Sequence, residues 1–346
     1  MREGKAPARS NFPRLLAWLF AALLVGALFL LVERLNLRRV IVLLRDSHLE
    51  LVGIAVLINL TLNTYARVKR RRVLLRAAAG QGAGLSFKEL TQLFFASYAA
   101  NNLLPARAGD LLFAVQIKRR GFRMAAVMAA QLSEKIVELT SLWILIPLTL
   151  VLTEASSVLD RTLYLFFLAG SFGALIFVLF LRSEHQEPPP RISLAGIPKG
   201  SVLRLWSRLK HGSWVTLDAI RKVATPRVGL TALAWSIAQD ASDILMVGFV
   251  ALAVNIHVGP GGWLLVYLAV NVASALPSTP GQIGLIEAGA VFALVGLGIG
   301  PNHSVAFALL YHAAHLVPVT LVGLPILLRL RWREKKLSAA AASLSL

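Results

Sequence analysis

The chain alternates long apolar runs with short, mostly basic connections. A membrane-spanning helix needs about 20 apolar residues, and runs near that length lie at residues 15–32, 49–66, 126–152, 163–181, 228–254 and 305–328. Two further stretches, 87–117 and 263–297, are also apolar, but each is broken near its middle by a related phrase, LPARAGD at 104–110 and LPSTPGQ at 276–282. Proline removes a backbone donor and clashes with the preceding turn, and glycine weakens helical order, so a helix stops at each phrase. At about 1.5 Å per residue, neither arm of such a stretch crosses a bilayer. Each therefore predicts a helical hairpin that enters and leaves on one side, with two tilted or partly buried spans as the alternative.

Basic residues assign the sides. Arg67, Lys69, Arg70, Arg71, Arg72, Arg76 and Lys88 follow the second run and read as a cytoplasmic connection, and Lys118, Arg119, Arg120 and Arg123 put the exit of the first hairpin on that same side. Residues 255–262 carry no lysine or arginine and read as external. Arg34, Arg38, Arg39 and Arg45 lie in a loop that this scheme makes external, against the rule. The expected fold is an all-α polytopic membrane protein, with six spanning helices plus two broken re-entrant helical hairpins in an inverted repeat. A single membrane domain covers 1–346, with one span-hairpin-span repeat over 49–152 and the other over 228–328. Matching helix breaks in two halves of a membrane protein point to a binding site between them. The cytoplasmic linker 182–227 holds Pro188, Pro189 and Pro190, and in it Val202, Leu205, Trp206 and Leu209 recur at helical spacing beside Arg204, Arg208 and Lys210. That pattern fits an interfacial helix or a solvated one packed on the loops.

Composition agrees with a lipid solvent. Apolar residues make up 57% of the 346 and mean hydropathy is +0.69. The net charge of +19 lies between apolar runs rather than in a groove with interleaved aromatics, so nucleic acid is not an expected partner. There are no cysteines, which removes disulfides and thiolate chemistry. The N-terminal run lacks a small-residue cleavage pattern and reads as a retained helix, placing both termini in the cytoplasm of a multi-pass inner-membrane protein.

Candidate chemistry gathers at the breaks. In the first, Asn101, Asn102, Pro105, Arg107, Gly109 and Asp110 surround a helix start near Pro105, whose free N–H groups beside Arg107 suit an anion such as a lipid phosphodiester. The competing reading pairs Arg107 with Asp110 three residues on. In the second, Pro277, Pro280, Gly281, Gly284 and Glu287 form the matching set, with Ser278 or Thr279 capping a helix that begins at Pro280. Glu134 and Glu138 share a helix face and suit a cationic headgroup, a proton or Arg107, or else lie hydrated near the cytoplasmic end. Asp240 and Asp243 are candidates for proton coupling. His312 and His315 read as hydrogen-bonded interior histidines, with no metal expected. No nucleotide loop, dinucleotide fingerprint or nucleophile elbow is visible, so no cofactor and no soluble enzyme are expected.

The strings NNLLPARAGD at 101–110, EKIVE at 134–138 and LPSTPGQIGLIE at 276–287 together resemble the lysylphosphatidylglycerol synthase transmembrane region family of flippase-like proteins. The resemblance covers nearly the whole chain. The family pattern usually reads Pro-Gly-Gly where this chain has Gln282 after Gly281, and commonly has glutamate where Asp110 stands. It implies movement of an amphiphile, a phospholipid or a lipid-linked headgroup, between leaflets, with membrane lipids as partners and without the synthase's soluble transferase domain. The readings kept beside it are a membrane-embedded enzyme or accessory subunit acting on lipid-linked saccharides, and a non-transporting scaffold. Homo-oligomer formation stays open.

Overall fold

A computed structural model describes residues 36–79, 84–104, 107–153, 164–165, 167, 169–171, 173, 220, 223, 225–275 and 280–343, with side chains of the last helix through Trp332. The described residues contain helices and no strand. In chain order they are α1 (Leu37–Arg45), α2 (Leu49–Ala79), α3 (Phe87–Leu103), α4 (Ala108–Arg119), α5 (Met124–Leu152), α6 (Pro226–Ala253), α7 (Pro260–Ser274), α8 (Leu285–Gly296) and α9 (Pro301–Ser343). Four helices, α2, α5, α6 and the Pro301–Trp332 part of α9, are long and apolar enough to cross a bilayer, which makes this a multi-pass membrane protein. The expected spans at 15–32 and 163–181 lie wholly or largely outside the described residues, as do the interfacial helix of the 182–227 linker, Pro105 and Pro277.

One boundary departs from expectation in a way that matters. The second apolar run does not end at residue 66 in a cytoplasmic loop; α2 continues to Ala79 and carries Arg67 to Arg76 along its length. Arginine, leucine and alanine are good helix formers, and neighbouring helices supply partners for the charges. Midway, Asn59–Asn63 form a π-helical turn, with Thr64 Oγ1 donating to the Asn59 carbonyl at 3.0 Å and the Asn59 amide donating to His315 O on α9 at 3.1 Å. Such a turn inserts one residue and re-aims the side chains of the helix beyond it.

Two apolar cores lie toward opposite ends of the bundle. One gathers Ala55, Ile146, Met246 to Val254, Leu265 to Val270, Ile286 to Leu294 and Phe307 to Ala314 around the α7–α8 hairpin. The other gathers Val68, Leu74, Leu75, Leu90 to Phe95, Phe113, Ile117, Val127, Ala232 and Val319 around the α3–α4 hairpin. Along the chain, α2 and α9 pass from the first core to the second, whereas α5 and α6 pass from the second to the first. Helices α2 and α6 are therefore antiparallel, as His48 N donating to Ala253 O at 2.9 Å confirms at one end.

Close helix contacts are made by glycine. A β-carbon at Gly109 would lie 1.8 Å from the Ser97 carbonyl oxygen, at Gly289 2.7 Å from that of Ala269, and at Gly323 2.1 Å from that of Phe95. The arms of both hairpins, and α3 against α9, thus approach backbone to backbone, the way helices pack where lipid supplies no hydrophobic drive. Gly323→Leu is expected to lower the thermal midpoint of the detergent-purified protein by several degrees, since overpacking costs about 1–3 kcal/mol, while Gly53→Leu, with nothing within 4 Å of its β-carbon, leaves it unchanged. Equal midpoints in a thermal-shift assay would refute this packing.

Candidate functional site

The two helix breaks touch. Helix α3 ends at Leu103, Arg107 adopts a left-handed backbone (φ 52°), and α4 starts at Ala108 rather than near Pro105. Asn101 ties the arms together: its Oδ1 accepts from Gly109 N at 2.8 Å and its Nδ2 donates to Asp110 Oδ1 at 3.1 Å. Asn102 turns the other way and donates to Thr320 Oγ1 of α9 at 2.8 Å. Its carbonyl lies 3.5 Å from the position of a β-carbon on Gly281, so the tip of the first hairpin rests on the turn of the second. Arg107 forms no ion pair with a described residue, Asp110 included, and Asp110 accepts from Asn101. Arg107 is exposed, and so are Leu103 and Leu111 on either side of the break.

In the second break, Pro280–Gln282 form a short 3-10 turn in which Gly281 (φ 67°) and Gln282 (φ 59°) are both left-handed. The Gln282 side chain donates back across the break to Ser274 O at 3.4 Å. Helix α8 begins at Leu285, not at Pro280, and is capped by Glu287, whose Oε2 accepts from Gly284 N at 2.8 Å. The other carboxylate oxygen lies 2.6 Å from His312 Nδ1 on α9, and His312 Nε2 lies 2.9 Å from the Gly281 carbonyl. A carbonyl only accepts, so Nε2 carries a proton. His312 is thus hydrogen-bonded at both ring nitrogens, as expected, whereas His315 Nδ1 is buried without a partner among the described residues.

Between the cores runs a layer of charge. Three arginines of α2 leave the helix in different directions. Arg67 donates to Asn63 Oδ1 (2.7 Å), to the Tyr98 hydroxyl on α3 (2.6 Å) and to Asp243 Oδ2 on α6 (3.2 Å). Arg70, fully buried at 0% exposure, donates to Ser236 Oγ on α6 (2.9 Å), to Glu134 Oε1 on α5 (3.0 Å) and to Glu138. Arg71 donates to Glu134 Oε2 (2.9 Å) and places its guanidinium 4.5 Å from the centre of the Phe113 ring on α4. Lys135 closes the Glu138 side at 2.7 Å. Asp240 Oδ1 accepts from the Tyr267 hydroxyl of α7 at 2.6 Å, and its Oδ2 has no hydrogen-bond partner among the described residues.

The structure therefore brings Asn101, Asn102, Arg107, Gly109, Asp110, Pro280, Gly281, Gly284 and Glu287 to two adjoining breaks. It puts Glu134 and Glu138 elsewhere, in the charged layer with Asp240 and Asp243. Glu134 is buried, and its ion pairs are with Arg70 and Arg71 rather than Arg107. Sequence reading missed Asn59, Asn63, Arg67, Arg70, Arg71, Tyr98, Ser236 and Tyr267. The arginines were hidden because a basic run after an apolar one looks like a loop; the signal available was the absence of glycine and proline from Ile54 to Ala79.

Removing one partner from a buried ion network leaves the others uncompensated, at about 3–5 kcal/mol. Arg70→Gln is expected to destabilise the protein by that order, and Arg70→Gln combined with Glu138→Gln by less. Chemical unfolding of the two variants in one detergent checks the order.

The sequence profile described as the lysylphosphatidylglycerol synthase TM region matches residues 15–323. Among curated proteins, the chain is similar to a protein of Haloferax volcanii named glycosyltransferase AglD, 26% identical over 334 residues, covering 87% of this chain and 52% of that relative. The chain thus spans about half the length of the curated relative it matches. No solved structure matches it. The broken hairpins, their arrangement between long apolar helices and the match over residues 15–323 lead to one assignment: the chain belongs to the lysylphosphatidylglycerol synthase transmembrane region family.

Proposed function

We propose that this protein moves an amphiphile, a phospholipid or lipid-linked headgroup, between leaflets, and that the adjoining hairpin breaks bind the headgroup. The observation that carries this reading is the contact between the two breaks beside an exposed Arg107 that pairs with no described residue. Each hairpin belongs to one core, and the helices framing the first, α2 and α5, run opposite to their counterparts α6 and α9. These features support two re-entrant hairpins in an inverted repeat, the arrangement in which opposed halves alternate access to a shared site. At the first break, Arg107 offers a charge-assisted donor to a phosphate, while exposed Leu103 and Leu111 offer apolar surface to the chains attached to it. On this reading the substrate contacts are Asn101, Asn102, Pro105, Arg107, Gly109 and Asp110 with Pro277, Pro280, Gly281, Gly284 and Glu287. Glu134 and Glu138 act as scaffold. The end bearing Lys118 to Arg123 faces the cytoplasm of an inner membrane.

A second reading takes its support from the relative named a glycosyltransferase. In it the chain is an enzyme's membrane module and presents a lipid-linked saccharide.

Reconstitution separates the two. Vesicles of phosphatidylethanolamine and phosphatidylglycerol carry a trace of fluorescent phosphatidylglycerol or of a lipid-linked sugar, and an impermeant reagent reports the headgroups it reaches. Protein-dependent loss of the inner-leaflet pool is expected. Arg107→Ala slows it roughly tenfold or more, since one charge-assisted hydrogen bond is worth about 1.5–3 kcal/mol. An unchanged rate in that variant removes the site, and a chemically altered lipid favours the enzyme. Because the chain lacks cysteine, Gly121→Cys and Pro301→Cys each provide a unique label, expected to react from opposite faces of sealed vesicles; labelling from one face refutes the inverted arrangement.

A further inference from the structure

The charged layer pairs its groups unequally. Glu134 has Arg70 and Arg71, Glu138 has Arg70 and Lys135, and Asp243 has Arg67. Asp240, 2% exposed, forms no ion pair with a described residue. Its Oδ1 accepts from Tyr267, and its Oδ2 is buried without a hydrogen-bond partner. A carboxylate kept from water with neither a counter-ion nor a donor on one oxygen bears the full desolvation penalty unless that oxygen is protonated. The groups around this part of the layer are Arg67 and Arg70 on α2, Glu138 on α5, Asp243 on the same helix, Tyr267 on α7, and Tyr311 and His315 on α9. The nearby Ser141 hydroxyl already donates to the Glu138 carbonyl at 2.9 Å. The ligand that fits one buried carboxyl oxygen lacking both donor and ion pair is a proton.

We propose that Asp240 is a proton-binding site inside the membrane, with its Oδ2 as the protonated atom, and that loading and unloading this proton is coupled to movement of the lipid. Asp243 also has one buried oxygen without a hydrogen-bond partner, but its other oxygen is ion-paired with Arg67, and it does not share the role. The coupling rests on the transport reading; the proton site does not. The step is a proton transfer alone: Oδ2 gains an O–H bond from hydronium or a buffer acid when loaded and returns that proton to water when emptied. Tyr267 keeps its hydrogen bond to Oδ1 in both states and fixes the rotamer. Because α6 touches α2, α5 and α7 through Arg67, Arg70, Ser141 and Tyr267, a change of charge at Asp240 acts where four helices meet.

The test uses the full chain in vesicles of phosphatidylethanolamine and phosphatidylglycerol. Infrared spectra across a pH series are expected to show the carbonyl band of a protonated carboxyl that is absent in Asp240→Asn and present in Asp243→Asn. In Tyr267→Phe the band persists but moves, since Oδ1 has lost its donor; this variant serves if Asp240→Asn fails to fold. With fluorescent phosphatidylglycerol in the same vesicles, an imposed pH gradient is expected to change the rate of lipid movement severalfold in the wild type and not in Asp240→Asn. No such band, or a band that survives Asp240→Asn and is unmoved in Tyr267→Phe, overturns the proton site. The expected band without lipid movement in either gradient overturns the transport reading and leaves the proton site standing. Lipid movement indifferent to the gradient overturns the coupling.

Discussion

A guanidinium shut away from water governs this fold. Arg70 is buried to 0% exposure at the meeting point of α2, α5 and α6, where Ser236, Glu134 and Glu138 accept its hydrogen bonds. Placing an arginine at the centre of a lone membrane helix costs about 2.5–3.5 kcal/mol on insertion scales, so α2 is committed to finding Glu134, Glu138 and Ser236. Those partners sit on two other helices. Their positions therefore fix the rotation and height of α5 and α6 against α2, much as a buried polar residue sets register in a coiled coil. Arg67 and Arg71, three residues before and one after, extend the constraint to Tyr98 on α3 and Phe113 on α4. The π-helical turn at Asn59–Asn63 lies just upstream, where one inserted residue sets the direction in which all three arginines leave the helix.

With the long helices fixed by the charged layer, the hairpins have little freedom left. The first is held by Tyr98 and Phe113 in the charged layer and by Gly109 against the Ser97 backbone, so its tip is carried to α9 and to Gly281. The second is held at its turn by His312, which bonds Gly281 and Glu287 at once. The tips are thus secured differently. Glu287, which offered itself as a ligand in the sequence, uses one oxygen to cap α8 and the other to hold His312. Arg107 commits its guanidinium to no described residue, and the asymmetry between the breaks lies in what remains available at each.

Long apolar helices and two broken hairpins were legible in the sequence because they rest on spacing. Apolar length and two Leu-Pro phrases lead to them, four of the six expected spans are described, and the two hairpins begin and end within a few residues of expectation. Partners across helices were not legible, since no local pattern records them. The basic residues after Ala66 look the same whether they are solvated or paired, and only the positions of Glu134 and Asp243 in space decide. Gln282 was visible as a departure from Pro-Gly-Gly, but its meaning needed the backbone: the position is left-handed, φ 59°, where glycine is unstrained, and the side chain that replaces it bonds across the break to Ser274. Helix starts were displaced for a related reason. Proline suggested Pro105 and Pro280, whereas the chain uses left-handed Arg107 and capped Gly284.

Polar groups inside a membrane must be satisfied by the protein, and the degree to which each is satisfied sorts these residues by what they are free to do. Arg70 and Glu134 are engaged on several sides, so changing their charge would dismantle the contact between three helices; they are suited to holding shape. Asp240 is engaged on one oxygen only and, unlike Asp243, is ion-paired with no described residue, so it can change charge while Tyr267 keeps it in place. Arg107 is exposed and pairs with no described residue, and its left-handed backbone is a strained conformation kept by the Asn101 bonds on both sides of the break. A cation in that state gains most from an anion brought from outside. The three degrees of satisfaction occur between the two apolar cores and at the adjoining hairpin tips, so a headgroup at Arg107 would sit on the hairpin that Tyr98 and Phe113 tie to the charged layer.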